Sequence, residues 1–216
     1  MVLILEAEHC IAHSATPLHP DGQALAGHLR NVAEIAASFF ADPESRVAAV
    51  AEIAGVVGLS HDAGKYHAAV QRHLRNCDSE RPVHATLGGQ ILAERYGVLG
   101  RLLAFAVLGH HGGMPDGVGG EGRCLEARLQ DAKDEDALQN FLAENALPDK
   151  LSMPALRFNR ESLPFELSLL VRMVYSALVD ADYLDTEAYF DPETSATRGG
   201  YPNWRTLTER YARHMQ

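Results

Sequence analysis

Seven side chains in this 216-residue sequence, His28, His61, Asp62, His84, His110, His111 and Asp182, are of types that bind metal cations. Imidazole nitrogens and carboxylate oxygens are the usual protein ligands of divalent transition metals, and histidine near neutral pH has a lone pair to donate. Five imidazoles and two carboxylates exceed what one tetrahedral zinc needs. They suit two five-coordinate or octahedral ions with open positions, bridged by a carboxylate. Imidazole-rich ligation favours manganese, iron, cobalt or nickel, with magnesium as the oxygen-preferring alternative. The chemistry such a pair supports is Lewis-acid activation of water.

Each of these residues must be carried inward by an element of the fold. Leu25, Leu29, Val32, Ala36 and Phe39 recur at steps of three and four and predict a helix over 23–40. His28 lies on its core side. A second helix over 44–58, starting near the acidic "DPES", carries Val47, Val50, Ala51, Ala54 and Val57. Its last turns run into "GVVGLSHDAGKYH", so a burying segment delivers His61 and Asp62 to the interior. After the break "NCDSERP", His84, Leu87 and Ile91 share one face of a third helix to about Tyr96, which Gly97 is placed to stop. A fourth helix, from Leu99 to about His110, extends the face of Leu103 and Val107 to His110, with His111 about 100° further round.

The longest helix, Leu163 to about Asp185, is apolar nearly all round through Leu167, Leu170, Val171, Val174 and Leu178 and belongs in the middle of the fold. Asp182, four residues after Leu178, emerges on its buried face, whereas Asp180 is turned roughly 200° from Leu178. A buried carboxylate is costly unless a cation meets it, so periodicity chooses Asp182. Taken singly, each histidine is more often a hydrogen-bonded core or surface residue than a ligand, and Asp182 alone could be a local cap or salt bridge. Together they call for a common cause.

Strand-like alternation is nearly absent, so the fold class is all-α: a compact helical bundle with a central buried helix and a glycine-rich surface loop. A single domain over 1–216 is expected, with its core at about 12–190 and with 191–216 forming a loop and a last short helix from Trp204. Gly117, Gly119 and Gly122 formally spell GxGxxG, but the stretch follows a helix instead of a strand, which argues for a surface loop beside a site over a dinucleotide fingerprint. Lys and Arg total 19 against 29 Asp and Glu, a formal charge of −10, so polyphosphates are repelled by the domain as a whole and any nucleic acid must be held locally. Cys10, Cys77 and Cys124 are few and scattered, which fits packing or surface thiols in a reducing cytoplasm. "MVLIL" lacks a basic flank and runs into Glu6, so a soluble cytoplasmic protein with no membrane span is expected. His67 and His73 read as plain surface residues, while His9, His13, His19 and His214 have no assignment.

The doublet "HD" followed by "AGK" resembles the signature of the HD metal-dependent phosphohydrolases, a helical superfamily. More specifically, "HLRNVAEIAASF", "LSHDAGKYHAAVQRHL", "HATLGG", "GHHGGMPD" and "LVDADYLDTE" stand in the order found in the HD nuclease domain of the type I CRISPR-associated helicase-nuclease. The resemblance runs from "AHS" at residue 12 to about residue 190. The doublet alone is a weak signal; five ordered blocks are a strong one. The resemblance implies that His28, His61, Asp62 and Asp182 serve one metal ion and that Asp62, His84, His110 and His111 serve the other, with Lys65 as the family's lysine beside the site. It further implies single-stranded DNA as substrate, a helicase domain or subunit as partner, and an RNA-guided surveillance complex that delivers the strand during antiviral defence. Without helicase domains following, the chain is expected to be a stand-alone nuclease subunit or an excised domain. Two cations about 4 Å apart would clamp a phosphodiester and lower the pKa of a bound water toward about 7 for in-line attack. Asp62 and Lys65 are then the catalytic candidates, Lys65 neutralising a non-bridging oxygen. The rival enzyme reading is an HD phosphohydrolase of small or cyclic nucleotides, and the non-enzymatic one a metal-stabilised adaptor that docks a helicase.

Overall fold

The computed structural model of the protein describes residues 10–41, 48–76, 84–119, 123–151, 159–199, 202 and 204–215. Among them the fold is all-α. The helices are α1 (Leu25–Ser38), α2 (Ala51–Ser60), α3 (Ala68–Asn76), α4 (Ala85–Gly109), α5 (Leu125–Leu129), α6 (Glu135–Glu144), α7 (Leu163–Phe190), α8 (Pro192–Ala196) and α9 (Trp204–His214). Two short strands, β1 (Ile11–His13) and β2 (Gln23–Ala24), pair antiparallel in front of α1. The "DPES" segment, Val47, the "NCDSERP" break after Asn76 with its Cys77, Gly122, "MVLIL" and His9 lie outside the described residues.

The apolar stripe of α1 is buried as its spacing requires, through Leu25, Leu29, Val32 and Ala36. Phe39 is an exception. The helix stops at Ser38, the chain turns with the Phe40 N–H donating to the Ala37 carbonyl, and Phe40 turns inward while Phe39 stays 48 % exposed. Helix α2 is buried on almost every side by Ile53, Ala54, Val56 and Val57, and α1, α2 and α4 all pack on α7. Burying each such aliphatic side chain is worth about 1.5–3 kcal/mol before chain entropy is subtracted.

The two expected helices on either side of Gly97 form one element with a break. Gly97 has φ 57°, ψ −127°, a left-handed backbone that L side chains resist, and it lets the Ala85 and Gly109 ends point in different directions. Close approach matters as much as direction. A Cβ on Gly88 would stand 2.0 Å from the Ser60 carbonyl oxygen, and one on Gly64 would stand 1.9 Å from the His84 carbonyl oxygen. Only hydrogen at these two positions lets α4 press against the end of α2 and lets the 3-10 turn Ala63–Tyr66 press against the start of α4.

Helix α7 runs past Asp185 to Phe190, and part of the tail expected as loop is helical in α8, where the Asp191 side chain accepts from the Thr194 N–H. Its N-terminal half leaves Phe165 and Leu169 exposed, so its apolar excess is not all buried within this chain. The short helices α3, α5 and α6 were not among the expected elements; α6 is set by its Asp134 cap, which accepts from the Ala137 N–H. No described helix is long and apolar enough to cross a membrane. Gly117 and Gly119 lie in the loop after α4 with no strand before them, so the GxGxxG spelling has no βαβ context among the described residues.

Candidate metal centre

The structure brings the seven expected residues into one cluster with two halves. The ligand-capable atoms of Asp62, His84, His110 and His111 lie within 4.8 Å of one another, and so do those of His28, His61 and Asp182. Asp62 joins the halves. Its Oδ1 faces His84 Nε2 at 3.4 Å, His110 Nε2 at 3.4 Å and His111 Nε2 at 3.9 Å. Its Oδ2 faces His61 Nε2 at 3.4 Å and His28 Nε2 at 3.8 Å. Asp182 Oδ1 lies 3.4 Å from His28 Nε2 and 3.6 Å from His61 Nε2. Asp180, by contrast, points to solvent. Lys65 is itself buried, and its Nζ is 2.6 Å from Asp62 Oδ2.

Local structure aims these groups. α2 ends at Ser60, His61 is its C-terminal cap, and the His61 Nδ1–H donates to the Gly58 carbonyl at 2.7 Å. His110 repeats the device at the end of α4, its Nδ1–H donating to the Val107 carbonyl at 2.6 Å. His28 Nδ1 lies 2.7 Å from Asp185 Oδ2. With each Nδ1 occupied by an acceptor, the neutral ring carries its proton there and its Nε2 lone pair faces the cluster. His84 and His111 close the outer side, Nε2 to Nε2 at 2.6 Å, and there the site is open, with the His111 side chain 52 % exposed.

The electrostatics are those of a buried charge cluster. Burial pushes the Asp62 carboxyl up, yet the Lys65 ammonium and the His61 ring outweigh it and hold it well below the usual carboxylate range. For Asp182, burial is likewise outweighed by the His28 and His61 rings. Burial alone would lower His61, but the Asp62 and Asp182 carboxylates lift it to about 10. His111 is pushed down to about 4 by burial and by the neighbouring His110, so its lone pair stays free at neutral pH.

These residues fit a bound cation. His28 Nε2, His61 Nε2, His110 Nε2 and Asp62 Oδ1 are buried without a hydrogen-bond partner, and the one close partner of Asp62 Oδ2 among the described residues is the Lys65 ammonium. Buried polar atoms are nearly always satisfied, and four orphans converging on one space is the pattern that metal ligation resolves. The donor set, imidazole with carboxylate, is that of divalent transition metals.

The comparisons with known proteins agree with that fit. The HD domain profile matches residues 25–140, more than half of the chain, and the protein belongs to the HD domain family. HD domains are metal-dependent hydrolases that bind divalent ions. A search among curated proteins found no match. The matched span holds His28, His61, Asp62, His84, His110 and His111, while Asp182 comes from α7 beyond it.

Four functional neighbours went unread in the sequence. Asp185 accepts from Gln23 Nε2 and Asn31 Nδ2, each at 2.7 Å, as well as facing His28 Nδ1, so a carboxylate fixed by two amides orients a ligand ring. Its signal was present: Asp185 is three residues after Asp182 and seven after Leu178, on the same stripe. Gln23 and Asn31 have no such signal. His13 packs edge-on against His28 at 5.1 Å between ring centroids and flat on Tyr189, and no periodicity could have placed it, because it lies in a three-residue strand. Of the histidines read as surface, His67 is half-buried and pairs with Asp134 at 2.9 Å.

Two predictions follow from this geometry. In chelator-stripped protein His61 carries a proton up to about pH 10, and a metal ion must displace it. Metal affinity is therefore expected to rise with pH between 6 and 9, with roughly one proton released per ion bound at that half, as read by calorimetry in buffers of different ionisation enthalpy. A flat affinity without proton release would remove His61 from the ligand set. The same raised pKa stabilises the stripped protein below the unfolded imidazole value of 6.5 and is lost as pH climbs toward about 10. Second, Asp185→Ala is expected to weaken metal binding by about 10–100-fold while the helical circular dichroism is retained; unchanged affinity would make Asp185 purely structural.

Proposed function

We propose that this HD domain is a two-metal nuclease that hydrolyses phosphodiester bonds of single-stranded DNA, in the setting of type I CRISPR defence. The observation that carries the reading is the two-sided carboxylate of Asp62, each oxygen facing a separate group of nitrogens. Under this reading His28, His61, Asp62 and Asp182 hold one divalent ion and Asp62, His84, His110 and His111 hold the other. Manganese, iron, cobalt or nickel suit those ligands better than magnesium. Ions in these positions supply Lewis-acid neutralisation of the phosphoryl oxygens and acidify water.

The chain's own residues do the rest. Asp62 fixes the two halves relative to each other and is kept ionised by its neighbours. Lys65, anchored on the same carboxylate, sets an ammonium beside the reacting phosphate, where it offsets negative charge as it builds up. The exposed His84 and His111 side gives the substrate its approach. A formal charge of −10 disfavours tight DNA binding by the domain alone. Strand delivery by a helicase and an RNA-guided surveillance complex, in the cytoplasm, accounts for that weakness, and the five ordered sequence blocks support the same setting.

The second reading, hydrolysis of small or cyclic nucleotides, uses the same ions and residues. The test is one panel in manganese: a labelled single-stranded oligodeoxynucleotide beside mononucleotides and cyclic nucleotides, for wild type, Asp182→Asn and Asp180→Asn. The expected result is oligonucleotide cleavage by wild type and by Asp180→Asn, with Asp182→Asn reduced at least a hundredfold. Turnover confined to the nucleotides would select the second reading, and equal loss in the two variants would break the ligand assignment.

A further inference from the structure

Beside the metal centre, on its exposed side, lies an open groove of about 590 Å³. His84 and Gly64 form its inner end, so it starts at the half of the site that His84 helps to line. Its walls come from α4 and from the segment between α5 and α6. Leu87, Ala132 and Ala137 give it an apolar floor, and Arg123 and Arg128 stand along it. Arg128 is held in place by Nη1 donating to the Leu108 carbonyl at 2.9 Å, a neutral acceptor that leaves the guanidinium charge in being.

Charge in the groove differs from that of the whole domain. Asp134 is engaged, one oxygen capping α6 and the other pairing with His67 at 2.9 Å. Among the described residues the lining therefore carries two arginines and two aspartates, of which Asp134 is already turned to α6 and His67. Within a chain of formal charge −10, a lining of balanced charge that presents two guanidinium groups is a place where an anion is repelled less than by the domain as a whole. A guanidinium fork meets phosphate oxygens in pairs, and an apolar floor takes a sugar or base face. The volume is in the range of pockets that hold one drug-sized molecule, which is the scale of one nucleotide unit.

We propose that this groove is the subsite for the nucleotide flanking the scissile phosphate, with Arg123 and Arg128 meeting the next phosphate along the strand. The assignment rests on the nuclease reading and deepens it, since it makes the enzyme read a polymer instead of a lone phosphodiester. Arg123 is the residue to change, because Arg128 also ties α5 to the end of α4 and its loss risks the fold.

The test compares wild type and Arg123→Ala on a single-stranded oligodeoxynucleotide and on bis(4-nitrophenyl) phosphate, a diester too small to reach along the groove. The expected loss of kcat/KM on the oligonucleotide exceeds any loss on the small diester at least fivefold and appears mainly in KM. Anisotropy of a labelled oligonucleotide, with EDTA present to prevent cleavage, is expected to give a Kd at least threefold weaker for Arg123→Ala. Its dependence of log Kd on log salt should be shallower by about 0.7, the share of one phosphate contact. Equal losses on both substrates, or an unchanged Kd and salt slope, would overturn the groove assignment while leaving the nuclease reading intact. Wild-type protein that turns over the small diester but neither binds nor cuts the oligonucleotide would overturn the nuclease reading, and the groove assignment with it.

Discussion

A carboxylate with 1 % of its side chain exposed to water sits at the meeting point of α2, α4 and α7, and the rest of the site is arranged around it. Asp62 is fully ionised there, at a burial that would cost many kcal/mol if nothing positive stood near it. Lys65 meets one oxygen, and five imidazole nitrogens ring the two oxygens at 3.4–3.9 Å. The nitrogens are too far for good hydrogen bonds and well placed to share cations with the carboxylate. The close approach at Gly64 and Gly88 follows from the same need, because a methyl group at either position would force α4 and its histidines away from Asp62.

Much of this was legible in the sequence because helices translate spacing into direction. His28 between Leu25 and Val32, His110 after Val107 and Asp182 after Leu178 each inherit the phase of an apolar stripe, and all three lie where that phase points. The choice between Asp182 and Asp180 needed nothing more. Asp185 was legible by the same rule and was passed over because the helix was ended there, five residues before Phe190. His13, Gln23 and Asn31 were not legible. The first two belong to a hairpin of very short strands, and Asn31 is a polar residue whose purpose exists only once Asp185 is opposite it. Phe39 and Phe40 show the limit of stripe arithmetic at a helix end, where a single turn decides which ring is buried. The groove beside His84 lies further still from sequence patterning, since α5 and α6 are short and the arginines have no period.

Membership in the HD family and the buried histidine-aspartate cluster point the same way: to divalent metal ions and hydrolysis. Charge is unevenly distributed over this chain. Its acidic balance keeps polyanions at a distance, while Lys65 stands at the central carboxylate and two arginines line the groove that His84 helps to form. Under the proposed nuclease reading, such a distribution favours a strand that is brought to the site over one captured from solution.

The central claim is that Asp62 bridges two ions. Anomalous diffraction at the manganese absorption edge, on crystals grown with manganese, tests it directly. The account predicts two peaks, each adjacent to a different oxygen of Asp62, one among His28, His61 and Asp182 and the other among His84, His110 and His111. A single peak, or two peaks of which neither touches Asp62, would contradict it.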